Sequence, residues 1–150
     1  MVQSRRPLLL AAAVALGAAA PPAARARAQP GTRLENVELP RLAGGSERLL
    51  STAAKANVFV FFRPGQERSL DALRQMAACE KELAGKPMHW AAVVSSSEAP
   101  AEVQAAVAAS GIRMPVLVDQ DDALYERLAI RMHPMVGIAD GRLELVALEP

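Results

Sequence analysis

The chain holds one cysteine, Cys79, and two histidines, His89 and His133. A single thiol excludes an intrachain disulfide and any dithiol mechanism within one chain, because both need a second sulfur. Cys79 falls in a segment of helical periodicity, on the side that also carries Ala72, Met76 and Leu83. An apolar setting raises a thiol's pKa and leaves it inert, so a core cysteine is the expectation. The alternative is a reactive or intermolecular thiol, because an odd cysteine in an exported protein can pair with another molecule. Two isolated histidines and one distant cysteine make a poor metal set. His89 reads as a strand-edge residue. Asp119, Asp121 and Asp122 suggest calcium by density, but they lack an EF-hand's spacing and terminal glutamate, so helix capping is expected instead. Neither a metal nor a cofactor is expected.

The elements that position these residues follow from hydrophobic periodicity. Leu34, Val37 and Leu39, the turn at Gly44-Gly45 and then Leu49-Leu50 suggest a small N-terminal hairpin. Asn57 to Phe62 is a continuous β-branched and aromatic run, the pattern of a strand buried on both faces of a parallel sheet. Pro64-Gly65 breaks it, and Leu70, Leu73, Met76, Ala77 and Leu83 then recur at helical spacing from Glu67 to Leu83. Trp90 to Val94 is a second strand, with Trp90, Phe61 and Phe62 expected in the core. A helix opens at Ala99-Pro100-Ala101 and stops at Gly111. Met114 to Val118 is a third strand, Ala123 to Leu128 a short helix, and Met135 to Leu148 two strands joined at Asp140-Gly141. Strands alternating with helices predict an α/β fold with a largely parallel sheet and an antiparallel edge.

Residues 1–28 are read as a signal peptide: Arg5 and Arg6, the apolar run Leu8 to Ala20, and an Ala26-Arg27-Ala28 exit. That run is shorter than the roughly 20 residues a spanning helix needs, so no membrane anchor is expected after cleavage. Ser4 to Leu9 fits a twin-arginine signal and an ordinary secretory signal alike. Either route leads to the periplasm or outside the cell. Residues 29–33 form a short tail and residues 34–150 one domain. The leader carries four of the 17 basic residues and none of the 16 acids, so the mature domain has 13 basic and 16 acidic side chains, a net charge of −3. With so few aromatics as well, nucleic-acid binding has no support.

Three stretches in order carry a resemblance. They are Asn57 to Phe62 running into Arg63-Pro64-Gly65, Met114 to Asp119 followed by Ala123-Leu124, and Ile130 to Asp140 with Pro134 inside it. Together with the N-terminal hairpin they resemble the thioredoxin superfamily, in its redoxin branch of TlpA-like thiol-disulfide oxidoreductases and AhpC/TSA-type relatives. The resemblance implies a central mixed sheet flanked by helices. The helix that usually ends such folds is not seen before Pro150, so the face of Leu143, Leu145 and Ala147, or its opposite, is expected to lack a cover. An open apolar face implies a partner, self-association or a truncated chain.

In that family the loop after the central strand carries C-x-x-C. Counting back from Glu82-Leu83, those two positions fall on Gln66 and Ser69. Gln66 is no nucleophile, and Ser69 needs a base that its neighbours Glu67 and Arg68 do not supply. No threonine or cysteine follows Pro64 at peroxidatic offsets. Pro134 resembles the family's cis-proline. His133 before it could meet Ser69, but a loop histidine with no orienting acid reads as polar surface. Arg63 and Arg68 read as solvated charges. The resemblance implies a peptide groove lined by Pro64, Gly65, Gln66, Ser69, His133 and Pro134, used by strand addition. The expectation is an exported thioredoxin-like domain that has lost its cysteine pair and binds a peptide or protein. The alternative is a thiol-dependent oxidoreductase or antioxidant redoxin that uses Cys79 with an external thiol.

Overall fold

A run as apolar as Asn57 to Phe62 is stable only where both of its faces are covered and both of its edges are paired. The computed structural model, which describes residues 27–150, meets that demand. Residues 1–26, most of the expected leader, lie outside the described residues. Strands β1 (Glu38–Pro40) and β2 (Ser46–Arg48) form the N-terminal hairpin. β3 (Ala56–Phe61) pairs in parallel with β4 (Met88–Ser95), and β4 with β5 (Val116–Asp119). On its other edge β3 pairs antiparallel with β6 (Met135–Asp140), which continues into β7 (Leu145–Glu149). The five-stranded order is β5-β4-β3-β6-β7, with β3 central as expected.

Three helices connect the strands: α1 (Glu67–Glu82), α2 (Pro100–Ser110) and α3 (Ala123–Leu128). Proline opens α2 and Gly111, left-handed at φ 76°, closes it. On one sheet face Phe59, Phe61 and Val93 join Leu34, Leu49 and, from α3, Leu124 and Leu128. On the other, Val58, Val60 and Phe62 meet Leu73 and Met76 of α1 and Val103 of α2. No described helix is long and apolar enough to cross a membrane.

Three details differ from the sequence reading, and a fourth choice that it left open is decided. The capping acid of α3 is Asp119 alone: its buried carboxylate accepts the backbone N–H groups of Leu124 and Tyr125 at 2.9–3.0 Å. Asp121 and Asp122 instead adopt left-handed φ in the turn before the helix, and no metal-ligating group forms among the described residues. The turn at Asp140-Gly141 is longer than the dipeptide suggests, and its left-handed residue is Leu143 (φ 65°). Asp140 Oδ1 orders it by accepting the N–H groups of Arg142 and Glu144, while Gly141 is required because a Cβ there would lie 2.7 Å from the Ala54 carbonyl oxygen. Trp90, expected in the core, is half-buried, because β5 begins pairing only at Ala92 and leaves the first half of β4 without a neighbour on that edge. Of the two faces that could be open, Leu143 and Leu145 are buried in the cluster with Leu34, whereas Val146 is 54 % exposed. No helix follows β7 among the described residues.

Gly137 of β6 faces Phe59 across the sheet, and a Cβ at this position would fall 2.2 Å from the ring. Phe59 is fully buried among the core side chains of that face. Gly137→Ala is therefore expected to lower unfolding stability by about 1–3 kcal/mol, read from urea denaturation of the purified domain; an unchanged midpoint would show that the ring is free to shift.

Candidate functional site

Parallel strands end on the same side, so the loops that leave β3, β4 and β5 converge, and the antiparallel β6 begins among them. This end of an open α/β sheet is where ligands bind. It gathers Arg63 to Gln66, Ser95 to Glu98, Asp119 to Asp122 and Arg131 to Pro134.

Pro64 is buried beneath the first loop and Gly65 turns the chain at φ 76°. Gln66 is the N-cap residue of α1, but its side chain caps no backbone group. Its Oε1 instead accepts the hydroxyl of Ser69 at 2.8 Å, one turn into the helix. The Ser69 oxygen accepts the Arg63 N–H at 3.1 Å, and the side chain is fully inaccessible. The two residues that the resemblance sets at the cysteine positions are thus joined by a hydrogen bond. Ser69 has no base: its proton is committed to a neutral amide oxygen, which cannot raise the nucleophilicity of a hydroxyl.

Across the loop, the His133–Pro134 peptide is cis, as the resemblance implied. His133 rests on Tyr125 with ring centroids 5.4 Å apart, Tyr125 meets Phe61 edge to face at 5.1 Å, and Phe61 meets Phe59 at 5.9 Å. An aromatic file therefore runs from the core to the site. Burial, then the nearby Arg63 guanidinium, lowers the His133 pKa from the usual imidazole value. Burial, then the Asp119 carboxylate, raises the Tyr125 phenol. The imidazole makes no hydrogen bond among the described residues, and a Ser69–His133 pair does not form.

Arg63 is not simply solvated, since its Nε donates to Glu98 at 3.2 Å. Glu98 and the hydrogen bond from Ser95 to Asp122 were not singled out in the sequence. Their only signal was position, as polar residues just past the ends of β4 and β5. His89 pairs with Asn57 on β3, ahead of the first residue that β5 covers, and its Nε2 is buried without a partner.

Cys79 is exposed, which corrects the expectation of a core thiol. The buried stripe of α1 is Ser69, Leu73 and Met76, and Cys79 stands about a quarter turn away from it. Ten residues from Ser69, it also lies about 15 Å along the helix from the loop. It cannot act together with Gln66 or Ser69.

The fold is thioredoxin-like. The thioredoxin domain of a thiol-disulfide oxidoreductase from Bacteroides vulgatus superposes with a TM-score of 0.72 at 16% identity, over 82% of this chain and 89% of that one. A secreted Mycobacterium tuberculosis disulfide oxidoreductase homologous to E. coli DsbE matches with a TM-score of 0.65 at 12% identity, over 75% of this chain and 81% of that one. A hypothetical protein from Sinorhizobium meliloti matches with a TM-score of 0.72 at 21% identity, over 82% and 71% of the two chains. No protein-family model matches the sequence, and no curated protein matches it.

Two outcomes follow from the placement of Cys79 and His133. In native buffer Cys79 is expected to react with Ellman's reagent as fast as an exposed thiol; reaction only after denaturant would restore the core reading. His133 holds a folded pKa below its unfolded value near 6.5, so the unfolded chain binds more protons and stability falls as pH drops below that value. His133→Gln is expected to flatten the loss of urea midpoint between pH 7 and pH 5, and an unchanged slope would assign that loss to other groups.

Proposed function

We propose that the mature chain is an exported thioredoxin-like module that binds an extended peptide or protein segment and performs no thiol chemistry. The observation that carries this reading is the Ser69–Gln66 hydrogen bond. It closes, with two groups that cannot be oxidised, the positions where the resemblance implies a cysteine pair. The region opposite is suited to strand addition. The backbone of Arg131, Met132 and His133 makes none of the turn, loop or cap hydrogen bonds found elsewhere among the described residues. Met132, at 47 % exposure, stands beside it as an adaptable apolar contact. Export is supported by the leader-like composition of residues 1–28, and one structural neighbour is itself described as secreted.

Insulin reduction with dithiothreitol as the electron source tests the absence of redox chemistry. No turnover above background is expected, and turnover that Cys79→Ala abolishes would overturn the proposal. The double variant Gln66→Cys, Ser69→Cys is expected to gain turnover, because the supporting frame is in place. For binding, an unbiased phage library of extended peptides is expected to enrich a consensus on the mature protein and to lose it with Gln66→Arg. Enrichment indifferent to that variant would move the binding site elsewhere.

A further inference from the structure

A second cleft lies at the other end of α1, away from the loops described above. β4 is eight residues long, but β5 pairs only with Ala92 to Ser95. Met88 and Trp90 therefore project from a stretch of β4 with no neighbour on that edge. α2 ends at Ser110, Gly111 turns the chain away, and the gap between α1, β4 and this turn is a cavity of about 620 Å³. That is within the roughly 300–1,000 Å³ of small-molecule sites.

Its chemistry is two-sided. Ala77, Leu83, Met88 and Trp90 give it an apolar wall, and Lys81, Lys86 and Arg113 a cationic one. None of these three cations enters an ion pair among the described residues. The single lining acid, Glu80, is already engaged, its Oε2 accepting the Arg113 N–H at 3.1 Å. The helix dipole accounts for Lys81, in the last turn of α1. It does not account for Lys86 or Arg113, which lie outside any helix. Three cations without an ion pair among the described residues line one partly apolar cleft, in a mature domain of net charge −3, and an anionic ligand complements them.

We infer that this cleft binds a small amphipathic carboxylate, with its hydrocarbon or aromatic body against Trp90 and Met88 and its carboxylate toward Lys81, Lys86 and Arg113. The site is independent of the peptide-binding reading. Trp90 is the chain's one tryptophan, so its fluorescence reports on this cleft alone.

Phenylbutyrate, with the isosteric phenylbutanol and phenylbutylamine as neutral and cationic controls, tests the inference on the mature protein. Phenylbutyrate is expected to change Trp90 emission saturably, and the alcohol and amine to bind at least tenfold more weakly. The double variant Lys81→Glu, Lys86→Glu, both sites being solvent-exposed, is expected to lower its thermal midpoint by no more than a few degrees, as an acid in the last turn of α1 implies, and to lose at least tenfold in affinity. Gln66→Arg is expected to leave binding unchanged. No saturable response up to about 10 mM, equal binding of acid and alcohol, or affinity indifferent to the charge reversal would each overturn it.

Discussion

The structure depends on β3 being buried on both faces. Phe59, Val60 and Phe61 have no exposed surface, so the strand can exist only if a helix layer covers one side, the N-terminal hairpin and α3 cover the other, and β4 and β6 satisfy its two edges. That demand sets the chain order and brings the loops after β3, β4 and β5 together. The site at the carboxyl end is in this sense a by-product of burying five apolar side chains. Close packing carries the consequence further: Gly137 has no Cβ because the Phe59 ring occupies its place. Along the same line of contacts, Phe59 holds Phe61, Phe61 holds Tyr125 and Tyr125 supports His133.

The first turn of α1 shows what a buried hydroxyl, rather than a thiolate, asks of the fold. A thiolate at a helix N-terminus is stabilised by the dipole and by free N–H groups. A buried hydroxyl has different needs: it must both donate and accept, or burial costs about 1–3 kcal/mol. Ser69 does both, toward Gln66 and from Arg63. The residue that could have capped the helix therefore spends its acceptor on Ser69. The interaction fixes the loop without leaving a nucleophile.

The succession of strands and helices along the chain and the helix stops were legible because they rest on one-dimensional signals. The run Asn57 to Phe62, the Pro100 start and the Gly111 stop say the same thing in sequence and in space. Gln66, Ser69 and His133 were legible only through resemblance, since nothing in their spacing points to a shared loop. Three readings failed for three-dimensional reasons. Cys79 and Met76 share a helical period, but burial on α1 depends on where the sheet lies, and the stripe is centred a quarter turn away. Trp90 sits in an apolar run, yet the short length of β5 leaves it half uncovered. Asp140-Gly141 reads as a tight turn, while the contact of Gly141 with the Ala54 carbonyl belongs to a residue far away in sequence.

The two ends of α1 illustrate how a fold can separate roles without separate domains. At its start, the helix buries Ser69 and is locked into the loop after β3; at its end, it stands over a part of β4 that β5 does not reach. The first region is held by internal hydrogen bonds, with the charges of Arg63 and Glu98 neutralising each other. The second leaves Lys81, Lys86 and Arg113 without an ion pair among the described residues. Self-compensated polar groups gain little from a charged ligand, because any new bond must first displace an existing one. Uncompensated cations beside apolar surface gain both from charge and from burial. Backbone-mediated recognition is thus suited to the loop end of the helix, and recognition of an amphipathic anion to the other.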